Sequence, residues 1–113
     1  MKTSIAQIDV DGAPHAFIRD DRTNRFELAF DSGTAFIDFR QREGVLSLVH
    51  TEVPASLRGK GVGESLTAAV LDYVRSQGWS VKPFCKFVAK YIARHKQYAD
   101  LVDPSFNSQD TAG

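Results

Sequence analysis

The chain has 113 residues, 42% of them hydrophobic, and its 14 Lys and Arg residues balance its 14 Asp and Glu residues. A length and an apolar content in this range are sufficient for one compact core, and they exclude an intrinsically disordered chain. The net charge of zero provides no overall attraction to nucleic acid or to an anionic membrane surface, so we expect neither as a partner.

The cysteine content and the N-terminal sequence indicate an intracellular protein. Cys85 is the only cysteine, so no disulfide can form within the chain. The N-terminus lacks the long apolar segment of a signal peptide, and no apolar run approaches the ~20 residues of a membrane span. We therefore expect a cytoplasmic protein, a monomer or a weak dimer, that holds no metal ion.

The first half of the chain alternates between apolar and polar residues, which is typical of strands. A polar stretch over residues 19–25 predicts a loop, and Asp31-Ser32-Gly33 predicts a tight hairpin. Three or four sequential strands joined by short turns predict an antiparallel meander. The strand-like segments are residues 4–10, 16–18, 26–30, 35–39 and 45–53.

After Pro54 the apolar residues recur at helical spacing up to Gly78, which predicts a helix. Residues 79–81 predict a short buried strand, and residues 84–92 predict a second helix. A strand, helix, strand order requires a crossover, so the short strand is expected to lie parallel to residues 45–53. The predicted fold is α+β with a mixed sheet, as one domain over residues 1–103. The polar residues 104–113 are expected to form a disordered tail.

A glycine-rich segment lies between the last strand of the meander and the first helix. Backbone N–H groups at a helix N-terminus bind phosphate, and glycine lets the backbone approach the ligand closely. The alternative is a loop and helix cap without a ligand. The Walker A loop is excluded because Glu64-Ser65, not a Lys-Ser/Thr pair, follows the last glycine. The candidate pyrophosphate-binding residues are Arg58, Gly59, Lys60, Gly61, Val62 and Gly63.

The pattern Arg-x-x-Gly-x-Gly in this segment resembles motif A of the Gcn5-related N-acetyltransferases. A wider pattern, in residues 50–54, 58–63, 83–85 and 98–102, is similar to that of the very small YjdJ-type subgroup. The resemblance implies a minimal version of the family fold, with acetyl-CoA inserted between the fourth strand and a parallel fifth strand. It also implies that Val53 offers backbone groups to the pantetheine arm. The N-terminal helices that enclose the acceptor in larger members have no counterpart here, which implies an open acceptor groove.

A basic stripe on the second helix offers a contact for the nucleotide 3′-phosphate, with a solvated helix face as the alternative. The stripe consists of Lys82, Lys86, Lys90 and Arg94, spaced four apart. From this stripe we select Lys86, which follows Cys85 directly, as a cofactor-binding residue.

Acetyl transfer to an amine needs a base, because a lysine-type amine with a pKa of about 10.4 is protonated at neutral pH. His50 and Glu52 lie two apart on one strand and so share a face. Either is a candidate base, unless the two form only a solvated polar pair. Cys85 lies near the start of the second helix, where cations and the helix N-terminus favour a thiolate. The subgroup resemblance also indicates Cys85 as an active-site residue, and the alternative is a small buried apolar residue.

By the same resemblance, Tyr91 is the candidate acid for the departing thiolate, with a core role as the alternative and Tyr98 as a second choice. The leading hypothesis is an acetyl-CoA-dependent N-acetyltransferase that acts on a small amine or on a protein lysine or N-terminus. One alternative is a coenzyme A-binding module or sensor with weak or no catalysis. Another is a protein-interaction domain whose glycine segment is only a cap.

Overall fold

Five sequential strands form an antiparallel meander in the computed structural model, which describes residues 1–107. Two of the connections, Asp11-Gly12 and Glu43-Gly44, have positive φ at both residues, as two-residue hairpin turns of type I′ require. The strands are β1 (Lys2–Val10), β2 (Ala13–Asp20), β3 (Arg25–Phe30), β4 (Gly33–Arg42) and β5 (Val45–Glu52).

The α+β fold class with a mixed sheet is confirmed, but the meander has five strands where three or four were predicted. The predicted loop over residues 19–25 is also shorter, because β2 continues to Asp20 in register with β3. Arg19 occupies a strand position that faces the core. Its guanidinium lies 4.8 Å from the centroid of the Phe39 ring and is paired with Asp21 at 2.7 Å. These contacts allow a charged residue to lie inside a strand.

The second half of the chain supplies the helices and the last strand. These elements are α1 (Val62–Gln77), β6 (Ser80–Pro83) and α2 (Lys86–Arg94), with short 3-10 helices at Ala55–Leu57 and Lys96–Leu101. As predicted, β6 pairs parallel to β5, from Val45 opposite Ser80 to Leu48 opposite Pro83. Because β6 ends there and β5 continues to Glu52, the last residues of β5 have no strand partner on this side among residues 1–107. The expected gap therefore lies between the fifth and sixth strands.

The core forms between one face of the sheet and the two helices. Ala35, Ile37 and Phe39 of β4 are almost completely buried, as are Leu66 and Val70 of α1. Burial of a large apolar side chain stabilises the fold by about 1.5–3 kcal/mol. This packing fixes α1 against the sheet, and the position of the glycine segment at its N-terminus follows.

The C-terminal segment continues beyond the predicted domain boundary at residue 103. The ring of Phe106 lies edge-on to Phe84, with centroids 5.3 Å apart. Residues 108–113 of the predicted tail lie outside the described residues. The domain boundary and the disordered tail stay predictions.

Candidate functional site

A cavity of about 500 Å³ lies where α1 begins. Its walls come from the end of β5 at residues 51–53, from the turn and first residues of α1 between positions 57 and 64, and from Phe87 of α2. The cavity therefore joins the glycine segment to the unpaired end of β5.

The backbone amides of the glycine segment are available to a ligand. The first helical hydrogen bond of α1 runs from the Ser65 N–H to the Gly61 carbonyl at 3.0 Å. Within the described part of the chain, no acceptor takes a hydrogen bond from the amide N–H groups of residues 59–64. Unpaired donors at a helix N-terminus, where the helix dipole is positive, form an anion site.

The three glycines are required for two different reasons. Gly59 and Gly61 have φ of +78° and +74°, and a Cβ at either position would meet no atom of residues 1–107 within 4 Å. Glycine is required at both positions because of the backbone conformation, since L-amino acids rarely adopt a positive φ of this size. A Cβ on Gly63, in contrast, would lie 2.8 Å from Cζ of Phe87. The absence of a side chain at Gly63 thus lets α2 approach the start of α1.

Of the three predicted cationic residues, only Arg58 lines this cavity. Its Nε donates to the Val53 carbonyl at 3.1 Å, and its guanidinium lies 3.9 Å from the Glu52 carboxylate. Lys60 lines a separate cavity of about 300 Å³ beside the β1–β2 and β3–β4 turns. Lys86 is exposed on the first turn of α2 and lines neither cavity.

A β-bulge at Val49 sets the orientation of the candidate base. Leu48 pairs with Phe39 and His50 pairs with Asp38, so Val49 is the extra residue of β5. Side chains alternate along a strand, and the bulge shifts that alternation by one position. His50 and Glu52 consequently face away from the core. The structure brings them together, with His50 Nε2 2.9 Å from Glu52 Oε1 and both side chains about half exposed.

Cys85 lies on the other side of β5. Thr51 pairs with the buried Ile37, so its side chain faces the core, and its Oγ1 lies 3.3 Å from Cys85 Sγ. Cys85 is 8% exposed and forms the N-cap of α2. The structure therefore does not bring the candidate thiol together with His50 and Glu52, since the strand lies between them.

The two candidate tyrosines lie outside the cavity. Tyr91 stacks on His95 with centroids 3.9 Å apart, and burial raises the pKa of Tyr91, helped by the negative charges of Asp72 and Glu64. Tyr98 donates a hydrogen bond to Asp72 at 2.8 Å. Burial and this hydrogen bond raise the pKa of Tyr98 to about 12. Both tyrosines hold their protons at neutral pH.

Sequence reasoning missed four cavity residues, Thr51, Leu57, Glu64 and Phe87. Phe87 follows the apolar period of α2, a pattern typical of core residues, but it is 38% exposed and lines the cavity. Thr51 faces the core only because of the bulge at Val49, for which the local sequence gives no signal. Gly63 was the available clue to Phe87, since a residue without a Cβ marks a close approach.

Within residues 1–107 there is neither a cluster of metal-binding side chains nor a helix suited to cross a membrane. In this range no three His, Cys, Asp or Glu side chains cluster in a way that suits a metal ion. No helix in the same range is long and apolar enough to cross a membrane.

The family model described as GCN5-related N-acetyl-transferase matches residues 25–101, which is more than half of the chain. The chain belongs to this family. It is similar to Protein NATD1 of Mus musculus, with 32% identity over 62 residues that make up 53% of this chain and 56% of the mouse protein. The NATD1 proteins of Homo sapiens and Gallus gallus match at the same 32% over 62 residues, 53% of this chain, and over 55% and 56% of their own lengths. The chain thus spans about half the length of the curated relatives it matches.

Proposed function

We propose that this N-acetyltransferase family member binds acetyl-CoA in the 500 Å³ cavity and transfers the acetyl group to an amine. One observation carries the proposal: the amides of residues 59–64 have no acceptor within the described chain, and all of these residues except Lys60 line a cavity that continues to the unpaired end of β5. Family membership supports the class of reaction.

The chemistry of the cavity suits the two ends of such a ligand. A diphosphate needs several N–H donors and positive potential, which the glycine segment, the α1 dipole and Arg58 supply. Glu64 is the opposing charge in the cavity wall. The amide groups of a pantetheine arm need backbone partners on an open strand. The Val53 carbonyl already accepts from Arg58, which leaves the Val53 N–H for the ligand.

His50 and Glu52 form the proposed proton acceptor for the amine. Acetyl-CoA supplies the acetyl group as a thioester, and the acceptor must lose a proton before attack. A neutral His50 that donates from Nε2 to Glu52 has Nδ1 as its proton acceptor. The Glu52 carboxylate then stabilises the imidazolium. Tyr91, the predicted donor to the departing thiolate, keeps its proton at neutral pH but lines a different space beside α2. We therefore propose that the departing thiolate takes its proton from water.

We propose direct transfer in preference to a route through Cys85. The hydrogen-bond partner of the thiol is the Thr51 hydroxyl, which is no base at neutral pH. His50 and Glu52 lie across β5 from it, so neither takes its proton directly. A covalent route would need a thiolate for which this arrangement supplies no proton acceptor.

The open face beside His50 supports a second candidate, a coenzyme A-binding module with weak or no catalysis. Neither α1 nor α2 covers the face on which His50 and Glu52 lie, so no helix of the described residues encloses an acceptor there. The same exposure suits a protein lysine or N-terminus as well as a small amine. The single cysteine is consistent with a cytoplasmic location.

Calorimetric titration with acetyl-CoA tests binding, and thiol release in the presence of amines tests transfer. We expect binding, and release that depends on adding a small polyamine or a lysine peptide. Binding with only slow release across both amine classes would favour the coenzyme A-binding module. No binding at millimolar acetyl-CoA would leave the glycine segment as a helix cap in an interaction domain.

A further inference from the structure

A second groove, of about 220 Å³, continues from the cavity over the outer surface of the helices. The two spaces share Glu64 of α1 and Phe87 of α2. The rest of the groove is lined by Lys90, Tyr91, Arg94 and His95. Phe87 and Lys90 are three residues apart, which is about 4.5 Å of helix rise. The groove therefore begins within one helical turn of the anion site.

Lys90 and Arg94 give the groove a positive charge. Both side chains are exposed, they lie one helical turn apart, and neither forms an ion pair within residues 1–107. No Asp or Glu occurs between positions 73 and 99. Among the described residues, Glu64 is the one acidic side chain in the groove wall, so two full positive charges face one negative charge. The His95 ring is fixed by stacking on Tyr91 and by the contact of Nδ1 with the Tyr91 carbonyl at 2.9 Å.

A different neighbouring cavity meets the first one at Leu57 and Val62, and its charge is of the opposite sign. Asp11 and Asp31 line it together with the single cation Lys60. An anionic group that extends from the diphosphate position is therefore favoured in the groove of α2 and disfavoured near the β-turns.

We infer that Lys90 and Arg94 bind the 3′-phosphate on the ribose of coenzyme A and so distinguish it from dephospho-coenzyme A. This inference rests on the proposed function, and it narrows the ligand to the 3′-phosphorylated cofactor. The structure divides the predicted basic stripe, because Lys82 lies on β6 and not on α2. Of the other three residues, Lys90 and Arg94 line the groove and Lys86 does not. Phe87, exposed where the two spaces meet, presents an aromatic surface suited to the adenine base.

The test compares the affinities of coenzyme A and dephospho-coenzyme A by calorimetry, for the unmodified protein and for Lys90→Ala, Arg94→Ala and the double variant. We expect about a tenfold preference for coenzyme A, which decreases in each single variant, disappears in the double variant and weakens with added salt. Alanine is a good helix former, so these exposed positions should keep the fold. Lys96→Ala, an exposed lysine outside both spaces, is the matched control and should keep the preference.

The possible results separate the inference about the 3′-phosphate from the proposal that the protein binds acetyl-CoA. Equal affinity of the unmodified protein for both ligands would overturn the inference and leave the acetyl-CoA proposal intact. The same holds if the double variant keeps the full preference. Failure of both ligands to bind would defeat the proposed function and the inference with it.

Discussion

His50 is the residue on which the proposed chemistry depends most directly. Its ring lies outside the cavity wall, on the exposed side of β5, and contacts Glu52. We expect His50→Ala to lower kcat by about a hundredfold, because the acceptor amine would keep its proton. The Kd for acetyl-CoA should change by less than about twofold, since no part of the anion site is altered.

Steady-state kinetics together with calorimetry measure these two effects separately. His15→Ala is the matched control, because His15 stacks on Phe30 near the β-turns and lines a different cavity. Unchanged kcat in His50→Ala would reduce the His50 and Glu52 pair to a solvated contact on the sheet surface.

Cys85 gives the opposite expectation, since its contacts are those of a packed side chain. The Cys85→Ala variant should retain turnover within about tenfold of the unmodified enzyme, because a general base acting on the amine does not need the thiol. Removal of the buried sulfur should cost about 1 kcal/mol of unfolding free energy. Kinetics and intact-protein mass after incubation with acetyl-CoA provide the measurements. Loss of all turnover, together with an acetylated Cys85 in the unmodified protein, would establish the covalent route instead.

At the scale of the elements, α1 carries its own internal control for the glycine segment. Gly61 at its N-cap and Gly78 at its C-cap have φ of +74° and +73°, and a Cβ at either would meet nothing within 4 Å. Alanine at each position should therefore lower the free energy of unfolding by a similar amount, about 1–2 kcal/mol. Only Gly61→Ala should weaken acetyl-CoA binding, by about tenfold, because relaxation of the turn moves the unpaired amides.

Chemical denaturation and calorimetric titration of both variants test this prediction. Gly78→Ala serves as the reference for strain without loss of the anion site. If both variants bind acetyl-CoA as the unmodified protein does, the glycine turn serves only to begin the helix.

Local sequence patterns predicted correctly the elements that depend on residues close together in the chain. Glycine spacing and the change of apolar period located the start of α1, and the crossover rule predicted the parallel pairing of β6. The length of β2 was missed because Arg19, a charged residue, is held in the strand by the rings of the finished core. Propensity cannot detect a contact with residues distant in sequence.

Which of the candidate catalytic side chains share a face of β5 depends on one extra residue in that strand, Val49. Alternation along β5 predicted correctly that His50 and Glu52 share a face, but it did not reveal that Thr51 and Cys85 meet on the other one. The bulge at Val49 reverses the alternation, and its pairing with β4 is set by the whole sheet. Sequence therefore identified the candidate residues and left open which of them act together.

At the scale of the whole molecule, the helices and the candidate chemistry occupy opposite sides of the sheet. The amides of the glycine segment and the basic groove lie at the helices, whereas His50 and Glu52 lie on the face that α1 and α2 leave uncovered. Under the proposed function, an acceptor would reach a thioester at the end of β5 through the gap beyond Pro83, where β6 ends. The proposal therefore assigns both cofactor binding and access of the amine to the unpaired end of β5.

The C-terminal 3-10 helix is tied to α1 by polar contacts with Asp72 and Arg75, and the contact with Asp72 predicts how stability depends on pH. Tyr98 donates to Asp72, and its pKa rises from its ordinary value of 10.0 to about 12, chiefly because the ring is buried. The folded protein therefore holds this proton more tightly than the unfolded chain does. That stabilisation is complete below pH 10 and is lost as the pH rises from about 10 to about 12.

Tyr98→Phe should lower the unfolding free energy by about 1–2 kcal/mol at pH 8, and the difference from the unmodified protein should shrink towards pH 12. Urea denaturation at intervals between pH 8 and pH 12 measures both effects. Tyr73→Phe is the control, because the Tyr73 hydroxyl donates to no other residue within the described chain. A constant difference between the unmodified protein and Tyr98→Phe across this range would show that the hydrogen bond to Asp72 does not link protonation of Tyr98 to folding.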